Sequence, residues 1–359
     1  MNVVTSGQFA ERDAFANRCF ESALGYFDVL SVYLGLRLDL YRTLADSGTV
    51  TSIELAERAA VAERYAREWL EQQATRGILQ ADVSVDPPRF SLPPGHAEVL
   101  LNRDSLSYLG AGVRQLMSLR GVIDQVVEAF RTGAGVPYDA YGLEGVEGQG
   151  DTNRPLFLTT LPNEWLPAIP DVNVRLSSAP ARVADIGCGT GWSSIAIARA
   201  YPLVTVKGID PDEASVVSAR RNAEEAGVAD RVRFHTMDAA NLQGPLDFAA
   251  AFECIHDMPR PTDVLRAVRS ALVDDGAMLV VDERTHDTFT GEPDELEAYH
   301  YGWSIFDCLP TGMFEQPSAG TGAVMRPSTL ERYAREAGFD GFEVLPIEHA
   351  VFRLYLLRP

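Results

Sequence analysis

RVADIGCGTGWSSIAIARA, residues Arg182 to Ala200, sets a strand, a glycine turn and a helix in immediate succession. Val183, Ala184 and Ile186 make a short apolar strand. Gly187, Gly189 and Gly191 make the turn, and Ile195, Ala196, Ala198 and Ala200 begin the helix. Glycine takes positive φ without a steric penalty and lets backbone come close to a ligand, while the first amides of the helix offer unpaired donors and a positive dipole. Spacing then decides between ligands. A dinucleotide site needs G-x-G-x-x-G, whose third glycine allows helix to pack closely on strand. Trp192 stands at that position here, and the pattern is D-x-G-x-G-x-G starting at Asp185. This argues against NAD or FAD.

Beyond this stretch, strands and helices alternate to the end of the chain, which implies a parallel sheet with helices on both faces and ligands at the carboxyl ends of the strands. Val204 to Ile209 is the second strand and ends at Asp210, 19 residues past Gly191, where a doubly wound sheet places a carboxylate to accept both ribose hydroxyls. A strand at 231–235 leads to Asp238 and Ala239, a fourth at 247–253 ends at Glu253, and a fifth at 277–281 ends in Asp282-Glu283. His256 follows the fourth strand and is the candidate acid or base, since an imidazole with a pKa near 6.5 can take a proton at neutral pH. A second reading, in which His256 caps its turn or pairs with Asp257, stays open. Residues 284–326 form the longest excursion, with Tyr299, Trp303 and Phe306 at i, i+4 and i+7 and His300 beside them. Such a stripe is core packing or an aromatic wall for a planar acceptor.

The amino-terminal third reads differently. Residues 14–44 carry large apolar side chains at helical spacing, and Phe20, Tyr26, Phe27, Leu30 and Tyr33 form a broad apolar surface. It covers either this protein's own second domain or a second copy in a homodimer. Thr51-Ser52-Ile53-Glu54 is a capping box, Glu63 opens a second helix that Gly77 closes, and Ile78-Leu79 with Phe90-Ser91-Leu92 suggests a small hairpin. This is the order of a winged helix. Its second helix mixes Arg64, Arg67 and Arg76 with Glu63, Glu68 and Glu71, so it lacks the basic face that DNA phosphates require. Between Gly133 and Gly150 six glycines suggest a linker or mobile cover.

A chain of 359 residues with 46% hydrophobic content can build a core in each of two domains, and its net charge of −20 disfavours nucleic acid and anionic membranes. Four well-separated cysteines make no C-x-x-C pair, so neither a disulfide framework nor a metal site is expected. With no signal-like start and no membrane-length apolar run, the expected address is the cytoplasm.

VADIGCGTG resembles the first motif of class I S-adenosylmethionine (SAM)-dependent methyltransferases. The whole order, a winged helix, a helical connector, DIGCGTGW, then HDM, DER and YGWSIFDCLP segments, is similar to an actinobacterial group of these enzymes with an amino-terminal winged-helix domain. The resemblance implies a Rossmann-like, doubly wound, mostly parallel seven-stranded α/β sheet with an antiparallel last strand. It implies domains at 1–102 (winged helix), 103–170 (helical connector and cover) and 171–359 (SAM binding, with the acceptor insertion 284–326). SAM would be the cofactor and S-adenosylhomocysteine the product, with Asp185, Gly187, Gly189, Gly191 and Asp210 around the turn and ribose, Asp238 and Ala239 at adenine, and Glu253 at the cofactor's amino group. The acceptor would be a small molecule methylated at a hydroxyl or carbon, with His256 as base and Tyr299, His300 and Trp303 as substrate contacts. Two rivals remain: an enzyme using SAM for another reaction such as cyclisation or decarboxylation, and a DNA-binding regulator.

Overall fold

The structure is a computed structural model that describes residues 6–359, and the chain divides into two compact units, one ending at Met117 and the other spanning Ser118–Pro359. In the first unit a long helix, Ser6–Arg37, gives way to Leu40–Ser47 at Asp39, whose φ of 53° breaks the helical run. Tyr41, Leu44, Val50, Leu55, Leu70 and Phe90 form the buried core, and the Trp69 indole N–H donates to the Ser31 carbonyl at 3.0 Å. The capping box is formed: the Glu54 amide donates to Thr51 Oγ1 at 3.2 Å, and the Thr51 amide to Glu54 Oε2 at 2.8 Å. It starts the helix Ser52–Ala59, which Ala60 turns into the helix Glu63–Thr75.

The wing is a pair of antiparallel strands, β1 (Gln80–Asp82) and β2 (Arg89–Ser91). β1 starts two residues later than Ile78-Leu79 suggested. The amides of Ile78 and Leu79 are drawn to the Gln73 carbonyl at 2.9 and 3.2 Å, and so finish the preceding helix instead of entering a ladder. Phe20, Tyr26 and Phe27 of the long helix are exposed, whereas Leu30 and Tyr33 are half-buried.

In the second unit, β3 (Ala181–Ile186), β4 (Val204–Asp210), β5 (Val232–Thr236), β6 (Leu246–Phe252), β7 (Leu272–Glu283), β8 (Gly341–Val344) and β9 (Phe352–Arg358) make one sheet in the order β5-β4-β3-β6-β7-β9-β8. The pairs from β5 to β7 are parallel, and β9 runs antiparallel between β7 and β8. Strand order reverses beside β3, which pairs with both β4 and β6, and ligands enter a doubly wound sheet at such a point. Every residue of β6 is buried, as expected of a strand covered on both faces. One face packs Ile195, Ala198, Val206, Phe248 and Leu279, and the other packs Ile186, Ala249, Val280, Leu265 and Leu330.

The glycine-rich stretch before the sheet is irregular over residues 133–137 and helical from Tyr138 onward. Gly142–Thr160 is one helix. Its glycines serve as contact points: a Cβ at Gly145 would meet Tyr141 at 3.0 Å and Ser118 at 3.3 Å, and one at Gly150 would overlap the Thr190 side chain. Absence of side chains lets this helix lie against the glycine turn. Packing outweighs the propensity cost of roughly 1 kcal/mol per glycine.

Candidate functional site

The glycine turn lies where β3 ends. Gly187, Gly189 and Gly191 all have positive φ, at 63°, 50° and 83°. A Cβ on Gly187 would come within 2.7 Å of Cys254 Sγ and one on Gly191 within 2.6 Å of the Phe234 ring, but one on Gly189 would meet nothing within 4 Å. Two glycines are therefore demanded by packing from below, and the third faces open space. Asp210, at the end of β4, accepts the Gly189 amide on Oδ2 at 2.8 Å and the Asp212 amide on Oδ1 at 2.9 Å. Burial outweighs these bonds and pushes its carboxyl up to about 6.

The other residues singled out around the turn have distinct surroundings. Asp185 is fully buried and takes the hydroxyls of Ser193 and Ser194 on Oδ2, both at 2.6 Å, so it clamps the start of the helix Trp192–Ala200. Burial raises its carboxyl to about 6 against those bonds. Asp238 accepts the Ala240 amide at 2.8 Å and an ion pair from Arg260 at 3.0 Å, with Ala239 buried beside it. Glu253 follows β6 with a φ of 51°, a conformation that costs a non-glycine residue about 1–3 kcal/mol. Its carboxylate is hydrogen-bonded by Asn153 and Gln149 of the helix Gly142–Thr160, and burial raises it to about 7. The cavity over the turn, lined by Tyr138, Gln149, Gly150, Asn153, Gly189 and Trp192 among others, holds about 50 Å³.

The carboxyl ends of β6 and β7 bring a second group together. His256 is 2% exposed, and its Nδ1 lies 2.8 Å from Asp282 Oδ1 and 3.0 Å from Glu283 Oε2. It pairs with these two acids of β7, not with the adjacent Asp257. Burial by itself would lower the imidazole pKa. The charges of Asp282 and Glu283 outweigh it, so the pKa stands well above 6.5. The same three residues are the one group among the described residues that could hold a metal ion, with ligand atoms within 4.8 Å of one another. The hydrogen bond between Nδ1 and Asp282 uses those atoms.

Residues 295–308 complete the enclosure. The helix Glu295–Trp303 passes into a π-helical turn, Ser304–Cys308. Within the α-helix Tyr299 is exposed, Trp303 half-buried and His300, on the other side, only 3% exposed, while Phe306 lies in the π-helical turn. Burial holds His300 down to about 4. The turn also carries Asp307 and Cys308 inward. Cys308 is within hydrogen-bonding reach of His256, and burial pushes its thiol up to about 12. Tyr138 enters from the cover, where burial and then the charges of Asp307, Asp210 and Asp257 raise its phenol well above 10. Sequence reading missed Tyr138, Asp307 and Cys308 as site residues and did not couple Asp282 and Glu283 to His256. Acids at the carboxyl ends of adjacent strands were the available signal for that pairing.

No helix among the described residues is long and apolar enough to cross a membrane. All four cysteines are free thiols.

Residues 159–344 match a family model described as a methyltransferase domain, and residues 28–103 match one described as an Rv2258c-like winged HTH domain. The ubiquinone biosynthesis O-methyltransferase of Pseudomonas aeruginosa is 29% identical over 181 residues, 50% of this chain and 72% of that protein. The protein of the same description from Xanthomonas axonopodis pv. citri is 34% identical over 111 residues, 30% of this chain and 46% of that one. Among solved structures, the mitomycin 7-O-methyltransferase MmcR is similar with a TM-score of 0.73 at 19% identity, covering 98% of this chain and 100% of its own. Human N-acetylserotonin methyltransferase, solved with SAM, gives 0.67 at 14% identity, covering 100% of this chain and 99% of its own. At these identities the two structures establish the fold.

Proposed function

The chain belongs to the methyltransferase family, and from that premise we propose that it transfers a methyl group from SAM to an oxygen or carbon of a small molecule, with His256 as general base. The observation that carries this reading is the buried His256–Asp282–Glu283 group at the ends of β6, which pairs with the strand that bears the glycine turn, and of β7, one strand further on. SAM supplies, when bound, an electrophilic methyl on a sulfonium.

The residues around the turn fit such a cofactor chemically. Open space over Gly189, a buried carboxylate at Asp210 with lone pairs free for hydroxyl donors, and a raised carboxyl at Glu253 suited to an ammonium group all favour it. Gln149 and Asn153 of the helix Gly142–Thr160 line the cavity over the turn and would face the bound cofactor. Asp185 acts through the helix it clamps, whereas Asp238 and Ala239 would meet the adenine.

The acids at Nδ1 favour the protonated form of His256, and a protonated ring cannot accept a proton. A second positive charge brought into the site weakens its hold on the Nε2 proton, because like charges disfavour one another in a buried setting. Once neutral, Nε2 is free to take the acceptor's proton while Asp282 keeps Nδ1–H fixed, which holds the ring in one tautomer and orientation. Positioned proton transfer is worth roughly 10²- to 10⁴-fold, and alignment of nucleophile and methyl up to roughly 7–11 kcal/mol. Tyr299, Trp303 and His300 would border the acceptor.

The test is incubation of the full-length protein with SAM and a panel of phenols, quinols and enolic compounds, reading S-adenosylhomocysteine release and product mass together. Stoichiometric release with a methylated product is expected. A converted product with no release would replace methyl transfer by another use of the cofactor.

A further inference from the structure

Two acids compete for one N–H at His256. Nδ1 lies 2.8 Å from Asp282 Oδ1 and 3.0 Å from Glu283 Oε2, and its hydrogen bond goes to Asp282. Glu283 Oε2 is left buried without a hydrogen-bond partner, and so is the other Asp282 oxygen, Oδ2. The His256, Asp282 and Glu283 side chains are 2%, 2% and 11% exposed, so solvent does not supply the missing partner.

Charge is unbalanced in the same way. A protonated imidazole beside two ionised carboxylates leaves one negative charge in excess, which is costly away from water. The three groups become neutral by taking up a further proton, or by exchanging the proton on Nδ1 for one divalent cation. Geometry favours the cation. Two ligand atoms about 2.1 Å from an ion and at right angles to each other stand about 3.0 Å apart. The separations of 2.8 and 3.0 Å at Nδ1 have that spacing, and the three ligand atoms all lie within 4.8 Å of one another. A proton bridges two atoms, whereas an ion holds three at once and leaves Asp282 Oδ2 placed to join as a second oxygen of the same carboxylate. Imidazole nitrogen with carboxylate oxygens suits first-row transition metals better than magnesium, which prefers oxygen alone.

We propose that His256 Nδ1, Asp282 and Glu283 form a binding site for one divalent first-row transition-metal ion, and that the ion and the base function of His256 exclude each other. With the ion on Nδ1, the neutral ring carries its one proton on Nε2 and has no lone pair there for the acceptor's proton. The exclusion rests on the methyl-transfer reading above, and the site itself does not.

The experiment is titration of the full-length, chelator-treated protein with cobalt(II), followed by calorimetry and visible absorption. One ion per chain is expected, with the weak visible bands of nitrogen and oxygen ligation. The four free cysteines are the competing ligands, so a thiolate-to-cobalt charge-transfer band overturns the proposal. Asp282→Asn and Glu283→Gln should each weaken binding at least roughly tenfold, because even the groups that only orient a metal ligand change affinity by roughly 10- to 100-fold. Unchanged S-adenosylhomocysteine affinity shows that a variant has folded. Where one has not, proton NMR of the cobalt-loaded wild type decides: one paramagnetically shifted histidine ring N–H is expected, and its absence overturns the site. Magnesium should bind at least roughly tenfold more weakly than cobalt. No binding, binding unaltered in both variants, or equal binding of magnesium also overturns it. Cobalt should suppress methyl transfer and a chelator restore it. Binding with turnover unaffected establishes the site and counts against His256 as base, so the two readings fail separately.

Discussion

The two ends of the site are built in opposite ways. At the glycine end, Gly187 to Gly191 and Asp185 lie within one short segment, and Asp210 follows on the next strand. At the His256 end, the participating groups come from β6, β7, the insertion and the cover, and His256 is separated by 26 residues from Asp282. The first end is made by local backbone conformation and needs few long-range contacts. The second exists only when distant segments have packed. A cradle of backbone amides tolerates change around it, but a buried group of four or five charged side chains loses its function if one member is misplaced.

The largest effect is expected at the second end. His256→Gln should lower methyl transfer roughly 10²- to 10⁴-fold and leave SAM affinity, measured by calorimetry, nearly intact. A parallel loss of affinity would mean that the two ends are not separable. At the first end, Asp210→Ala should weaken SAM binding roughly tenfold to a hundredfold, and unchanged affinity would remove the ribose assignment. Gly191→Ala probes backbone conformation there: with a φ of 83° and Phe234 and Ala219 at 2.6 and 2.9 Å from the new Cβ, it should cost about 1–3 kcal/mol, visible as a lower denaturant midpoint. A neutral result would show that the turn is less constrained than its packing implies.

The smallest effect separates the ends by pH. His256 has a raised folded pKa, so its ion pairs with Asp282 and Glu283 stabilise the fold fully below the unfolded value near 6.5, and that contribution disappears as pH rises through the folded value. Wild-type stability should therefore fall, relative to His256→Gln, as pH rises above the unfolded value near 6.5. Parallel pH profiles for the two proteins would show that the imidazolium is not held as described.

Legibility in the sequence follows the same division. The D-x-G-x-G-x-G spacing, Trp192 in place of a third Rossmann glycine and the strand-ending Asp210 were sufficient to place the cradle and the parallel sheet, because each is a property of a few consecutive residues. The capping box at Thr51 was readable for the same reason. Composition did not reveal that the second half of Gly133 to Gly150 is helix, where the missing side chain of Gly150 lets that helix lie against Thr190. Helical periodicity at Tyr299 and Trp303 was readable, but the π-helical turn Ser304–Cys308, which takes Phe306 out of that phase, was not.

The sequence alone thus determined the fold class and the cofactor end, where hydrogen bonding and steric limits act between near neighbours. Only the tertiary structure decided that His256 pairs with Asp282 and Glu283 and not Asp257, that these acids raise its pKa, and that Cys308 lies within reach of it. The physical reason is that charge interactions and burial depend on distances between segments far apart in the chain, and no local pattern encodes those distances.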